Sequence, residues 1–409
     1  MNSKAKTLSE VYDLFDPQEP LKGEKLKTFY VDRKTKIKEE VLWKIKSSKK
    51  PLKIIFPAIR GNGNTTELNK LVEEAEKDFF VIFFNTKDRL DMINVTYVDL
   101  LLNIGLQIYE SVKNKIRIDP KLEDALNDWS SKVVESVRGE EKALEVEGGI
   151  SGIIKLTAAM RNQVSTKKAV RKTVEPKLSE LLYIINRTIT YTEEKLGTIF
   201  VIIDDLDKIA PKQAEDLFFG YSTTLTQLGC NILYTIPRSL QLSEKIQWIL
   251  RFFDSKVSIP NTYLHDKNGN PSEENKRLMK DIALHRMEES LIDEEALEYI
   301  VEMSGGVIHD FVRMIRESAA KAHGNQSNKI RKKDVELVIS DTRNDYLRFL
   351  FGDDLRILRE IRKTHGRIVR KEDEERFSEL LFSLVILEYL NDEVWYDVHP
   401  TIKGIIERT

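Results

Sequence analysis

Four predominantly apolar runs constrain this chain more than any other feature. They are "LKIIF" at 52–56, "FFVIFF" at 79–84, "TIFVII" at 198–203 and "CNILYTI" at 230–236. None alternates apolar with polar residues, so each reads as a strand buried on both faces. Helical spacing separates them: "TTELNKLVEEAEK", "YVDLLLNIGLQIYESVKNK" and "AEDLFFGYSTTLTQLG". Buried strands alternating with helices predict an α/β fold with a parallel sheet covered on both sides, and "SKVSIP" supplies a short fifth strand.

Around this core the chain divides by composition. Residues 1–21 predict an N-terminal helix, and 22–262 the α/β core. Within the core, 113–197 is polar, mostly helical and reads as an insertion, with "EVEGGISGIIKL" as a small hairpin. After Pro260 the strands stop. Residues 263–345 predict a helical lid. Residues 346–409 predict helices followed by a hairpin turning at Asn391–Asp392, which is the order of a winged-helix domain.

Composition narrows the function classes. The formal net charge of 409 residues is −2, which argues against a uniformly basic nucleic-acid binder. The single cysteine, Cys230, excludes an intrachain disulfide framework and a Cys-rich zinc site. The six histidines lack metal-ligand spacing. No apolar stretch approaches the roughly 20 residues of a membrane helix, and the polar N-terminus lacks a signal core, so a cytoplasmic protein is expected.

The turn "AIRGNGNTT" at 58–66 joins the first strand to a helix. Glycines there let backbone N–H groups approach phosphates, and the helix N-terminus favours anions. Against the phosphate-loop pattern G-x-x-x-x-G-K-[ST], Gly61, Gly63, Thr65 and Thr66 fit. Ala58 replaces the first glycine and Asn64 replaces the lysine. Asn donates a neutral hydrogen bond and brings no charge, so weak triphosphate binding and impaired hydrolysis are expected. Arg60 is a candidate compensating cation.

"TIFVIIDDLDKI" is the more specific motif. A run of apolar β-formers ends in Asp204–Asp205, with Asp207 two residues on. Carboxylates at the C-terminal end of a parallel strand lie where ligands bind in open α/β sheets. Asp204 then suits Mg²⁺ with Thr65, and Asp205 the orientation of an attacking water. The plainer reading is that these acids solvate a strand end or cap the next helix.

With both motifs in view, the chain resembles P-loop NTPases of the AAA+/STAND neighbourhood, including KAP-type ATPases. "LYTIPRSL" is similar to a sensor 1 strand, with Thr235 at its polar tip and Arg238 nearby. "FYVDRKTKIKEEVL" resembles the segment lining an adenine pocket, through Arg33. "SGGVIHDFVRMIRESA" resembles a lid helix in which His309 stands where a sensor 2 arginine is expected, with Arg313 and Arg316 as substitutes. Arg251 is a candidate for action across a subunit interface, although a solvent-facing arginine is the plainer reading.

The resemblance implies binding of ATP or ADP with Mg²⁺, and a regulatory switch with weak or absent hydrolysis acting on a protein partner or on self-assembly. Two alternatives stand beside it. One is a DNA-binding, initiator-like or transposition-linked ATPase using basic stretches at Lys155–Lys177 and Arg356–Lys371. Its weakness is the acidic second winged-helix segment, with Glu374, Glu375 and Glu379. The other is a nucleotide-free pseudo-ATPase scaffold.

Overall fold

A computed structural model describes residues 3–140, 154, 156, 164–367 and 370–407. The five-stranded sheet has the order β2-β3-β4-β1-β5. Its strands are β1 (Lys53–Ala58), β2 (Phe80–Asn85), β3 (Ile199–Asp204), β4 (Asn231–Pro237) and β5 (Ser255–Lys256). The pairings β1·β5, β2·β3 and β3·β4 are all parallel. β1, β3 and β4 are buried at every position, as their predominantly apolar sequences require. β5 is only two residues long and pairs with Ile54 and Ile55.

Two compact units emerge. One gathers residues 38–57 and 71–257, the other 1–37, 58–70 and 258–409. The first holds the sheet. Its core includes Ile82, Leu101, Ile203 and Tyr234 together with Trp129, Val133, Val170 and Leu181. The latter four come from helices Pro120–Glu140, Val164–Val174 and Leu178–Leu196, so the expected insertion shares the core of the sheet. The hairpin expected at "EVEGGISGIIKL" falls, except for Ile154 and Leu156, outside the described residues.

The other unit is mainly helical. Helices Glu273–Leu284, Glu294–Ser304, Ile308–Gly324 and Lys332–Phe349 bury Met279, Ile300, Phe311, Ile315 and Val338 in one core. Helix Leu8–Leu14 adds Val11 to that core. The expected N-terminal helix therefore occupies only part of 1–21, and a further helix, Gly23–Phe29, follows it. The C-terminal elements are Gly352–Thr364, Glu374–Phe382, the antiparallel pair β6 (Ile386–Leu390) and β7 (Val394–Val398), and Pro400–Ile406. That is the helix–helix–hairpin order of a winged helix. Among the described residues, no helix is long and apolar enough to cross a membrane.

Candidate functional site: a closed phosphate-type loop and an acidic strand end

The turn after β1 belongs to the largely helical unit. Gly61 and Gly63 both take positive φ, +75° and +73°. Such a conformation favours glycine because it has no Cβ. Space adds a second constraint at Gly61, where a Cβ would lie 3.0 Å from the Cβ of His309. Asn62 between them is wholly buried, and its amide donates to the carbonyls of Ile259 (3.1 Å) and Pro260 (3.0 Å). Asn62 N–H donates back to Ile59 O at 3.2 Å.

Asn64 opens the helix Asn64–Ala75 and is buried. Its side-chain amide also donates to Ile59 O, at 2.7 Å, closing the loop across its base. The Oδ1 of Asn64 is buried and finds no partner. A neutral amide thus stands at the position where the pattern calls for a lysine.

The other residues expected around the loop have varied fates. Thr65 lies in the first turn of the helix, half-buried, with its own bonding partner. Thr66 Oγ1 accepts from Leu21 N–H at 3.1 Å, so it ties down the N-terminal segment. Arg60 is exposed, with its guanidinium 5.3 Å from the centre of the Phe382 ring.

His309 touches the loop through its backbone. Its N–H donates to Gly61 O at 2.8 Å, while its ring Nδ1 lies 3.3 Å from Asp310 Oδ1. Arg313 reaches the same carboxylate at 3.4 Å, and Arg316 is spent on Asp16 at 2.8 Å. A cleft of about 440 Å³ opens here, lined by Arg60, Gly61, His309, Arg313, Tyr346 and Phe382 among others.

Arg33 is the residue expected to line an adenine pocket. Its guanidinium donates to Asn62 O (2.7 Å), Asn62 Oδ1 (2.9 Å), Pro260 O (3.1 Å) and Thr262 Oγ1 (3.3 Å). The Nε is enclosed and has no acceptor. Enclosure pulls the guanidinium pKa down, and the more distant Glu67 carboxylate works against that shift.

The acidic strand end belongs to the sheet unit. Asp204, Asp205 and Asp207 are buried, and one carboxylate oxygen of each lies within 4.8 Å of the others. Asp205 has a left-handed backbone, φ +72°, and its N–H donates to Asp204 Oδ1 at 2.7 Å. Lys208 is ion-paired to Asp205 Oδ1. Asp205 Oδ2 is buried without a hydrogen bond, 4.0 Å from Lys87 Nζ. Burial and then the neighbouring Asp204 charge push Asp207 up to about 7.

Thr235, expected as a polar tip, is fully buried, and its Oγ1 accepts from Leu206 N–H at 3.0 Å. It holds the turn that presents the three acids. Thr86 assists by donating to Asp204 O at 2.9 Å. Lys208 escaped sequence reasoning, although its position three residues after Asp205 in a short helical turn is a legible pairing signal.

The basic stretches are heavily paired. Arg356 bonds Asp373 at 2.6 Å, Arg362 bonds Glu407 at 3.2 Å and Arg367 bonds Glu374 at 3.4 Å. In the described part of the other stretch, Lys167 pairs with Asp91, and Arg171 bonds Asp99 at 3.0 Å. Trp395 stacks on Tyr389, and His399 is fully buried, so both pack within the protein. Arg251 lies over the Trp248 ring at 5.1 Å.

No protein-family model matches the chain, and no curated protein matches it. Several solved structures are similar to it. The Aeropyrum pernix ORC1 protein in complex with DNA has a TM-score of 0.44 and 13% identity, over 97% of this chain and 96% of that one. Cdc6p from Pyrobaculum aerophilum has a TM-score of 0.44 and 12% identity, over 97% of each chain. The RuvB Holliday junction branch migration motor of Thermotoga maritima has a TM-score of 0.38 and 11% identity, over 91% of this chain and 94% of that one. No residue role is carried over from these proteins.

Proposed function

We propose that the chain is an ATP- or ADP-binding switch of the AAA+/STAND kind, with weak or absent hydrolysis, whose nucleotide state governs a protein partner or self-assembly. The observation that carries this reading is the amide of Asn64 donating to Ile59 O at 2.7 Å. The loop keeps its wound form through this bond, yet the bond is neutral. Exchanging the lysine for this amide loses a charge-assisted phosphate contact, worth about 1.5–3 kcal/mol. The same exchange removes stabilisation of charge developing during phosphoryl transfer.

The acidic strand end suits a hard cation. Asp205 Oδ2 is buried and unbonded, and three carboxylates converge within 4.8 Å. Asp204 would hold Mg²⁺. Bound there, Mg²⁺ would neutralise phosphate charge. Asp205 would orient water, and its pairing with Lys208 tempers it as a base.

A second reading, duplex DNA binding through the C-terminal elements, is favoured by their winged-helix order. The pairing of Arg356, Arg362 and Arg367 with carboxylates weighs against it.

Nucleotide content tests the first reading. Denatured protein should release ADP or ATP at up to one per chain, and emptied protein should bind Mg-ATP and ADP by calorimetry. Asn64→Lys should bind ATP more tightly or turn it over faster. Absence of released nucleotide together with no heat up to millimolar ligand would sink the switch.

A further inference from the structure

Arg33 makes four hydrogen bonds, and every acceptor is neutral: two oxygens of Asn62, the carbonyl of Pro260 and the hydroxyl of Thr262. Among the described residues, no carboxylate is hydrogen-bonded to it. The nearest acid acting on it, Glu67, itself accepts from Tyr30 OH at 3.0 Å. Arg33 is half-buried with its Nε fully enclosed, and a guanidinium ordinarily enters such a position with an anionic partner, because desolvating a charge is costly unless it is paired. Here the partner is missing, and the residue the charge holds is the middle of the turn, Asn62, between Gly61 and Gly63.

The direction of that hold matters. A trans peptide points its C=O and its N–H to opposite sides. Arg33 bonds the Asn62 carbonyl at 2.7 Å, so the N–H of Gly63, in the same peptide unit, is turned away from the arginine. The charge also polarises that unit toward a stronger donor. Behind Gly63 begins the helix Asn64–Ala75, whose N-terminal N–H groups add partial positive charge.

We propose that Arg33 supplies, from behind the turn, the positive charge that the loop lacks at Asn64, making the loop a receptor for a polyphosphate anion. This rests on the nucleotide-binding reading and names the cation of that site. Arg33 then acts as a positioning and electrostatic residue that works through Asn62. The same contacts also staple the N-terminal segment to the turn, so the test must separate charge from stapling.

The full-length protein is titrated with tripolyphosphate, which has no base or sugar, and separately with Mg-ATP. Circular dichroism and a thermal melt check the fold of each variant. Arg33→Gln should weaken tripolyphosphate binding about tenfold or more, the scale of losing one charge-assisted partner. Arg33→Lys keeps the charge and should retain most of the binding. The double variant Arg33→Gln/Asn64→Lys should regain it, because the cation returns from the front of the loop. A merely structural staple would instead lose binding in Arg33→Lys too, because one ammonium cannot reproduce the four guanidinium contacts.

Wild-type affinity in folded Arg33→Gln, or no rescue in the folded double variant, overturns the inference. If Arg33→Gln does not fold, loss of tripolyphosphate binding by folded Arg33→Lys overturns it. Wild-type protein that binds Mg-ATP but not tripolyphosphate also overturns it, and leaves the nucleotide reading standing. Wild-type protein that binds neither removes both.

Discussion

Asp310 shows how much one side chain organises in the helical unit. Its carboxylate is buried, 3.2 Å from His399 Nε2, 3.3 Å from Tyr346 OH and His309 Nδ1, and 3.4 Å from Arg313. On its other side the His399 ring sits 2.8 Å from Thr401 Oγ1 through Nδ1. Burial alone would raise the Asp310 pKa. The close contacts of His309 and His399, with the charge of Arg313, outweigh it and hold the group well below the ordinary value of 3.8. A depressed folded pKa means stability that is present above 3.8 and lost as pH falls through the lower folded value. Asp310→Asn should therefore cost about 3 kcal/mol at pH 7, the scale for breaking a buried charged contact. The gap to wild type should narrow steadily as urea melts are repeated at and below pH 3.8. A gap independent of pH would show that shape, not charge, makes the contact.

At the scale of elements, the turn before the helix Ile308–Gly324 is fixed by Gly306. Its φ is +76°, and a Cβ there would sit 1.7 Å from the carbonyl oxygen of Thr262. Backbone cannot yield as a flexible side chain can. Gly306→Ala should destabilise by about 3 kcal/mol or more, combining strained φ with overpacking. Gly324→Ala, where a Cβ meets nothing within 4 Å, is the control and should stay within about 0.5 kcal/mol of wild type. Urea midpoints at constant slope would measure both. The sequence flagged the Gly305–Gly306 pair as a lid-helix motif, but not this reason for it. The contact joins positions 262 and 306, which no local pattern links. Strands behaved differently. β1, β3 and β4 were legible because each is predominantly apolar without alternation, which is a local property. The insertion helices were legible as helices from their amphipathic spacing, whereas their membership of the sheet core was not. Periodicity says which face is buried and leaves open against what.

For the whole molecule, charge pairing sets an expectation about nucleic acid. Arg376, the one arginine of helix Glu374–Phe382, bonds Asp354 at 2.7 Å and Glu379 at 2.7 Å. With Arg356, Arg362 and Arg367 also paired, part of the positive charge of this stretch is already engaged by carboxylates. Duplex DNA should bind weakly, with a dissociation constant above about 10⁻⁶ M at physiological salt and a shallow dependence on salt concentration. Fluorescence polarisation across a salt series reads both quantities. Nanomolar, sequence-dependent binding would instead place the DNA-binding reading first.

By itself the sequence determined the parallel α/β sheet, the position of the glycine turn and the acids at the end of β3. Each follows from residues adjacent in the chain, where hydrophobic runs, backbone permissiveness and strand-end chemistry act locally. Tertiary structure alone decided what those residues do. It turned Asn64 back onto Ile59, and it assigned Thr66 to Leu21 and Thr235 to Leu206. It also brought Arg33 to Asn62, 29 residues away, and to Thr262, 229 residues away. A buried polar group must find a partner wherever the packed chain offers one, and that search is not confined to neighbours in sequence.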